Sequence, residues 1–277
     1  MLLITGATGN IGRPLLHELH AAGANPLRAL TRDAARAAFP AGVEALEADL
    51  TDPSALRDAV RGVRAMFLIS GLGPDAEIIA AARRAGVEHV VLVSSITVET
   101  HPHLGPAAEK SSVEKELEAS GLDWTILRPT QFASNTMLWA EAIRARRPVR
   151  AAYADAELPT IHPADIAAAA RVALTEPGHR GRRYALTGPE SISPRAQVAA
   201  VAALLGRDIE FTEISRDTAR SELLPIFGAD EVDAVLEVTG GDITDELRQV
   251  RDTVSALTGD PGRTYRQWVE ENASAFR

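Results

Sequence analysis

Cysteine is absent from the 277-residue chain. Its absence excludes disulfides, zinc–thiolate centres and thiol nucleophiles, and it fits a reducing cytoplasm, the location we expect. No apolar run approaches the roughly 20 residues that a membrane span needs. The opening Met1-Leu2-Leu3-Ile4-Thr5-Gly6 has no basic stretch and too short an apolar run for a signal peptide. Basic runs interleaved with aromatics are also missing. Arg144-Ala145-Arg146-Arg147 is short and suits a solvated helix end. The formal net charge of -9 repels phosphate backbones. We therefore expect neither nucleic acid nor membrane as a partner.

What is present is a regular alternation. Apolar stretches at 2–5, 27–30, 43–48, 65–69, 90–93 and 124–127 read as strands. Between them lie segments with helical spacing, such as Ile11, Leu15, Leu16 and Leu19 ahead of Gly23. The helix after the third strand is capped by Thr51 or Asp52, and later helices cover 75–85 and 106–119. Strand and helix in strict turn, with near-continuous apolar strands, predict an α/β fold with a doubly wound parallel sheet. After about residue 130 the rhythm loosens. A helix begins at Pro163, 184–187 reads as a strand, and Ser193–Leu205 is a helix ended by Gly206. The stretch 209–214 reads as a strand. From Asp217 the pattern is mostly helical, with breaks at Pro225, Gly240-Gly241 and 259–262. We expect residues 1–150 to form a dinucleotide-binding domain. Residues 151–277 should form a smaller, helix-rich, substrate-binding lobe, interleaved with the first and not folding alone. Ligands of such sheets sit at the carboxyl ends of the strands, here 6–12, 31–33, 49–52, 70–73, 94–105 and 128–135.

Gly6-Ala7-Thr8-Gly9-Asn10-Ile11-Gly12 lies between the first strand and the first helix. Gly6 serves the tight turn, Gly9 the close approach of backbone to a diphosphate, and Gly12 the packing of helix on strand. Thr8, Asn10 and Ile11 complete the turn. The second strand is followed by Thr31-Arg32-Asp33. An NAD site puts an acidic residue there; Arg32 instead suits a 2′-phosphate, so NADP(H) is expected over NAD(H). Arg36 is a further candidate contact. Asp49-Leu50 either meets the adenine or opens the next helix. Ser70-Gly71 should run close to the cofactor ribose.

Together these segments resemble the NmrA-like group of atypical short-chain dehydrogenase/reductases. The resemblance is carried by Thr5–Gly12, Leu30-Thr31-Arg32-Asp33, Ala48-Asp49-Leu50 and Ser120–Pro129. Ile161–Ala167 and Tyr184–Glu190 add to it. It covers about residues 1–215. It implies a Rossmann-type domain with a small C-terminal lobe, NADP(H) binding, and reduction of quinones, triphenylmethane dyes or related conjugated compounds. The group also includes redox-sensing regulators without turnover. Wider relatives use Ser, Tyr and Lys, the last two as Tyr-x-x-x-Lys. Here Ser94-Ser95 stand where the serine belongs and Lys110 suits the lysine, but Pro106 stands where the tyrosine would be.

Lys110 reads two ways, as a contact to nicotinamide ribose or substrate, or as a helix lysine paired with Glu114. His101 and His103 flank Pro102 in the loop after the fifth strand; either is a candidate proton donor, and we single out His103. They lack carboxylates at ligand spacing, so no metal is expected. Leu72, Phe132, Met137 and Trp139 suit a pocket for a flat acceptor, with Gln131 and Asn135 to orient it. His162 and Asp165 should fix the loop before Pro163 and cap its helix. The leading function is NADPH-dependent hydride transfer to a small quinone-like or conjugated acceptor, by a chain with scope to form a homodimer. The alternatives are an NADP(H) sensor and an isomerase or epimerase of the extended short-chain class.

Overall fold

The computed structural model describes residues 1–277. Seven strands form the main sheet: β1 (Leu2–Ile4), β2 (Leu27–Thr31), β3 (Glu44–Glu47), β4 (Ala65–Ile69), β5 (His89–Val93), β6 (Asp123–Pro129) and β8 (Arg182–Leu186). Their order is β3-β2-β1-β4-β5-β6-β8, and every pairing is parallel. Strands β1, β2 and β5 are buried at every position, as a sheet covered on both faces requires. Edge strand β3 is largely exposed and shorter than the predicted 43–48 stretch, as edge strands often are.

The helices are α1 (Gly12–Ala21), α2 (Pro53–Ala59), α3 (Asp75–Arg84), α4 (Thr97–Thr100), α5 (Gly105–Ala119), α6 (Ala140–Arg144), α7 (Pro163–Thr175), α8 (Pro194–Leu205), α9 (Arg216–Phe227), α10 (Ala229–Leu236), α11 (Asp245–Arg248), α12 (Thr253–Thr258) and α13 (Tyr265–Glu271). Leu15, Leu16 and Leu19 of α1 are fully buried. Each such leucine contributes roughly 1.5–3 kcal/mol. The apolar clusters on the two faces hold 23 and 20 buried residues, so neither face dominates the core. Asp52 caps α2 by accepting from Ser54 N. His162 caps α7 through Nδ1, and Asp165 reaches across to the Arg263 backbone N–H and guanidinium.

Beyond residue 150 the chain rejoins the main sheet through β8, while α7 packs on α1. The remainder forms a lobe around a second sheet of β7 (Val149–Ala151) and β9 (Phe211–Glu213). Strand β7 has no counterpart in the sequence reading: three residues are too few to show a period. Pro225 does not break a helix. It sits in the last turn of α9, which ends at Phe227 before Gly228.

Candidate active site

Gly6 takes a left-handed φ of 59° and turns the chain out of β1. A Cβ on Gly12 would collide with the Gly6 carbonyl oxygen and lie 2.7 Å from its carbonyl carbon. Helix α1 therefore seats directly on the turn only because residue 12 is glycine. Gly9 N donates to Gly6 O at 2.9 Å, and Thr8, Gly9 and Asn10 are exposed. No side chain caps α1. Arg13 N donates to Gly9 O at 3.1 Å and Leu15 N to Ile11 O at 3.0 Å, and Pro14 has no N–H. The Gly12 N–H and the exposed turn before it are thus left for an anion, which fits a dinucleotide diphosphate. Asn10 Nδ2 donates to Ser134 Oγ at 3.1 Å, tying the turn to the segment after β6.

Arg32 is exposed at the end of β2 and engages no carboxylate in an ion pair. Arg36 is tethered to Asp33, whose carboxylate accepts from Arg36 N and lies 3.7 Å from Nε. Asp49 accepts from Thr51 N and Thr51 Oγ1 at 2.9 and 2.8 Å. Those bonds hold its carboxyl below the usual range, and the Arg32 charge acts in the same direction more weakly. Leu50 is buried behind it. Ser70 Oγ and Gly71 N both donate to Asp75 Oδ2, at 2.9 and 3.0 Å, so the Ser70 hydroxyl shapes the turn into α3. Leu72 lies against Gly6, its Cδ1 3.2 Å from where a Cβ there would stand. Arg13, exposed in the first turn of α1, is a cation beside the turn that sequence reasoning passed over.

At the end of β5, Ser94 is buried and its Oγ has no hydrogen-bond partner, an orphan that suits a ligand group. Ser95 Oγ instead accepts from Thr97 N and Oγ1, holding α4 in place. The i,i+4 pair of Lys110 with Glu114 does not form. Glu114 is buried and accepts from Arg128 Nε and Nη2 at 3.1 and 2.6 Å. Lys110 is half-buried on α5. Pro106 sits in the first turn of that helix and supplies no phenol. His101 is fully buried and bonded to Thr100 Oγ1 and the Asp242 carbonyl, which makes it a tie to the far lobe. His103 is exposed, its ring centroid 6.0 Å from that of His101.

Past Ser134 lies a cavity of about 270 Å³ between the segment after β6 and the lobe. Gln131, Asn135 and Trp139 line it, whereas Leu72, Phe132 and Met137 do not. Phe132 packs against the main-sheet core. Gln131 Nε2 donates to Val238 O at 2.9 Å, clasping the lobe. The outer wall comes from β7 and the turn after it, α9 and α10, including Tyr153, Phe227 and Leu236. Tyr153 has a φ of 57°, rare for a bulky residue. Its ring packs so closely on Gly240 that a Cβ there would overlap Tyr153 Cγ. Only the Gly240-Gly241 pair hinted at this contact in the sequence.

Comparison with known proteins agrees with this geometry. Residues 6–177 match the NAD(P)H-binding family. A (4-alkanoyl-5-oxo-2,5-dihydrofuran-3-yl)methyl phosphate reductase of Streptomyces griseus is 40% identical over 100% of this chain and 99% of its own length. An NAD(P)H azoreductase of Xenophilus azovorans is 32% identical over the same shares. The crystal structure of an NADPH-dependent quinone oxidoreductase from Escherichia coli superposes with a TM-score of 0.80 at 29% identity, covering 98% of this chain and 99% of that one. No helix here is long and apolar enough to cross a membrane. The chain belongs to the NAD(P)H-binding family and is a reductase of the NmrA-like, atypical short-chain type.

Proposed function

We propose that the chain uses NADPH to reduce a small quinone-like or conjugated acceptor held in the cavity between the segment after β6 and the lobe. The observation that carries this reading is the Asn10–Ser134 bond, which joins the turn to the residue before Asn135, a lining residue of the cavity. The bound cofactor supplies the hydride. Gly6, Gly9, Gly12 and the start of α1 would hold its diphosphate, Arg32 its 2′-phosphate, and Asp49, Leu50, Ser70 and Gly71 its nucleoside side. Ser94 and Lys110 would face the nicotinamide end, with His103 beside them.

Reduction of a quinone or enone asks little acid catalysis of the protein, because solvent can protonate the product. Placement of a flat acceptor does most of the work. Pro106 in place of a phenol is compatible with that chemistry. Trp139 offers a ring face to the acceptor, and Asn135 a polar contact. A cytoplasmic location and a homodimer belong to the same proposal, to be checked by fractionation and light scattering.

The test is NADPH oxidation, followed at the nicotinamide absorbance band, with quinones, azo dyes, enones and dihydrofuranones as acceptors. Turnover with at least one acceptor, lowered by Lys110→Ala, is expected. Tight NADPH binding with no oxidation by any acceptor would favour a sensor instead.

A further inference from the structure

The cavity wall carries two formal charges, and they cancel. Arg150 on β7 donates from Nε to Glu222 Oε1 on α9 at 3.0 Å, and its Nη2 lies 2.9 Å from the same oxygen. The other lining side chains are uncharged, and 15 of the 24 lining residues are hydrophobic. The pair is half-exposed, so it adds little to stability. Its consequence lies in what the cavity admits. An anionic acceptor drawn to Arg150 must compete with Glu222 or place its own charge beside that carboxylate, and both outcomes lose affinity. A neutral planar acceptor meets apolar side chains and the Asn135 and Gln197 amides.

We propose that this cavity selects uncharged acceptors, and that Glu222 rejects anionic ones by occupying the wall's only cation. The proposal rests on the reductase reading for the identity of the ligand as an acceptor. The Streptomyces griseus relative, by contrast, is named for a dihydrofuranylmethyl phosphate. Selectivity of that kind is a repulsive device: the new element acts against the wrong ligand, not for the right one.

Binding can be read without cofactor or turnover. Trp139 lines the cavity, so quenching of its fluorescence reports occupancy, with a Trp139→Phe protein as the blank. The probes are 1,4-naphthoquinone and 1,4-naphthoquinone-2-sulfonate, which share a ring system and differ by a permanent charge. Thiol adducts cannot confuse the reading, because the chain has no cysteine. We expect the neutral quinone to bind about tenfold more tightly, a difference typical of one unfavourable charge contact. Glu222→Gln should narrow that ratio by about fivefold, the upper range for a half-exposed pair. Arg150→Gln, which leaves the carboxylate alone, should widen it. Sulfonate binding as tight as the parent quinone in the native protein, or a ratio unmoved by both substitutions, would overturn the proposal. NADPH oxidation is measured in parallel. Selective binding with no oxidation would sink the reductase reading and leave this one standing. Oxidation with no charge selectivity would do the reverse.

Discussion

The glycine turn and the cavity are linked through the Asn10–Ser134 bond, yet they are built in opposite ways. The turn is backbone: three glycines, an uncapped helix start and strand ends carried by the core of the main sheet. The cavity is side chains, gathered from β7, α9, α10 and the segment after β6. A backbone site tolerates almost no change where chains touch, and it recurs wherever the same cofactor binds. A side-chain site shifts with single substitutions.

Substitutions at the two crowded glycines test that contrast. Gly12→Ala forces a Cβ into the Gly6 carbonyl, pushing α1 off the turn. Overpacking of this kind costs about 1–3 kcal/mol, and the displaced helix start should weaken NADPH binding by about a hundredfold. Cofactor titration by nicotinamide fluorescence measures it; affinity within threefold of native would mean the turn is not the diphosphate cradle.

Acid should weaken the fold through the sheet residue His89. His89 is buried on β5, and desolvation, aided by the Arg180 charge, lowers its pKa from 6.5 to about 4. Thr125 Oγ1 donates to the His179 carbonyl, so it accepts from His89 Nε2, and the ring is neutral in the fold. A depressed folded-state pKa means the unfolded chain takes up the proton first. Stability is then fully present above pH 6.5 and falls as the pH drops toward 4, by about 2 kcal/mol at pH 5. Urea melts at pH 7 and 5 show the loss, and a His89→Gln protein should lose less between them. Equal slopes in both proteins would remove His89 as the cause.

Gly240→Ala is the counterpart of Gly12→Ala on the cavity side. It displaces the Tyr153 ring and should raise the acceptor KM by about tenfold, with NADPH affinity unchanged. A change in cofactor affinity of the same size would show that the two sites are one. The smallest effect belongs to Arg32→Ser. It should weaken NADPH by about five- to tenfold through the lost charge-assisted bonds and leave NADH alone. A parallel loss for both cofactors would place the 2′-phosphate elsewhere.

This contrast also governs what the chain's letters reveal. The sheet was legible because buried parallel strands are continuous apolar runs, and the turn because each glycine answers a steric need at fixed spacing. Arg32 stands exposed after β2, where its place in the sequence put it; its contact with a 2′-phosphate belongs to the proposal. Some partners could not be read from spacing. Glu114 stands four residues from Lys110, yet it bonds Arg128 across to β6. His101 and His103 are two residues apart, but one is buried against the Asp242 carbonyl and the other faces solvent. The cavity wall was least legible of all. Arg150, Glu222 and Tyr153 meet only after β7 pairs with β9, over a sequence distance that no local pattern encodes.

The structure of the protein with NADPH and 1,4-naphthoquinone bound together tests the central claim most directly. The account predicts the diphosphate over Gly6–Gly12, the 2′-phosphate against Arg32, and the quinone in the cavity beside Trp139. A quinone bound outside that cavity, or a 2′-phosphate turned away from Arg32, would contradict it.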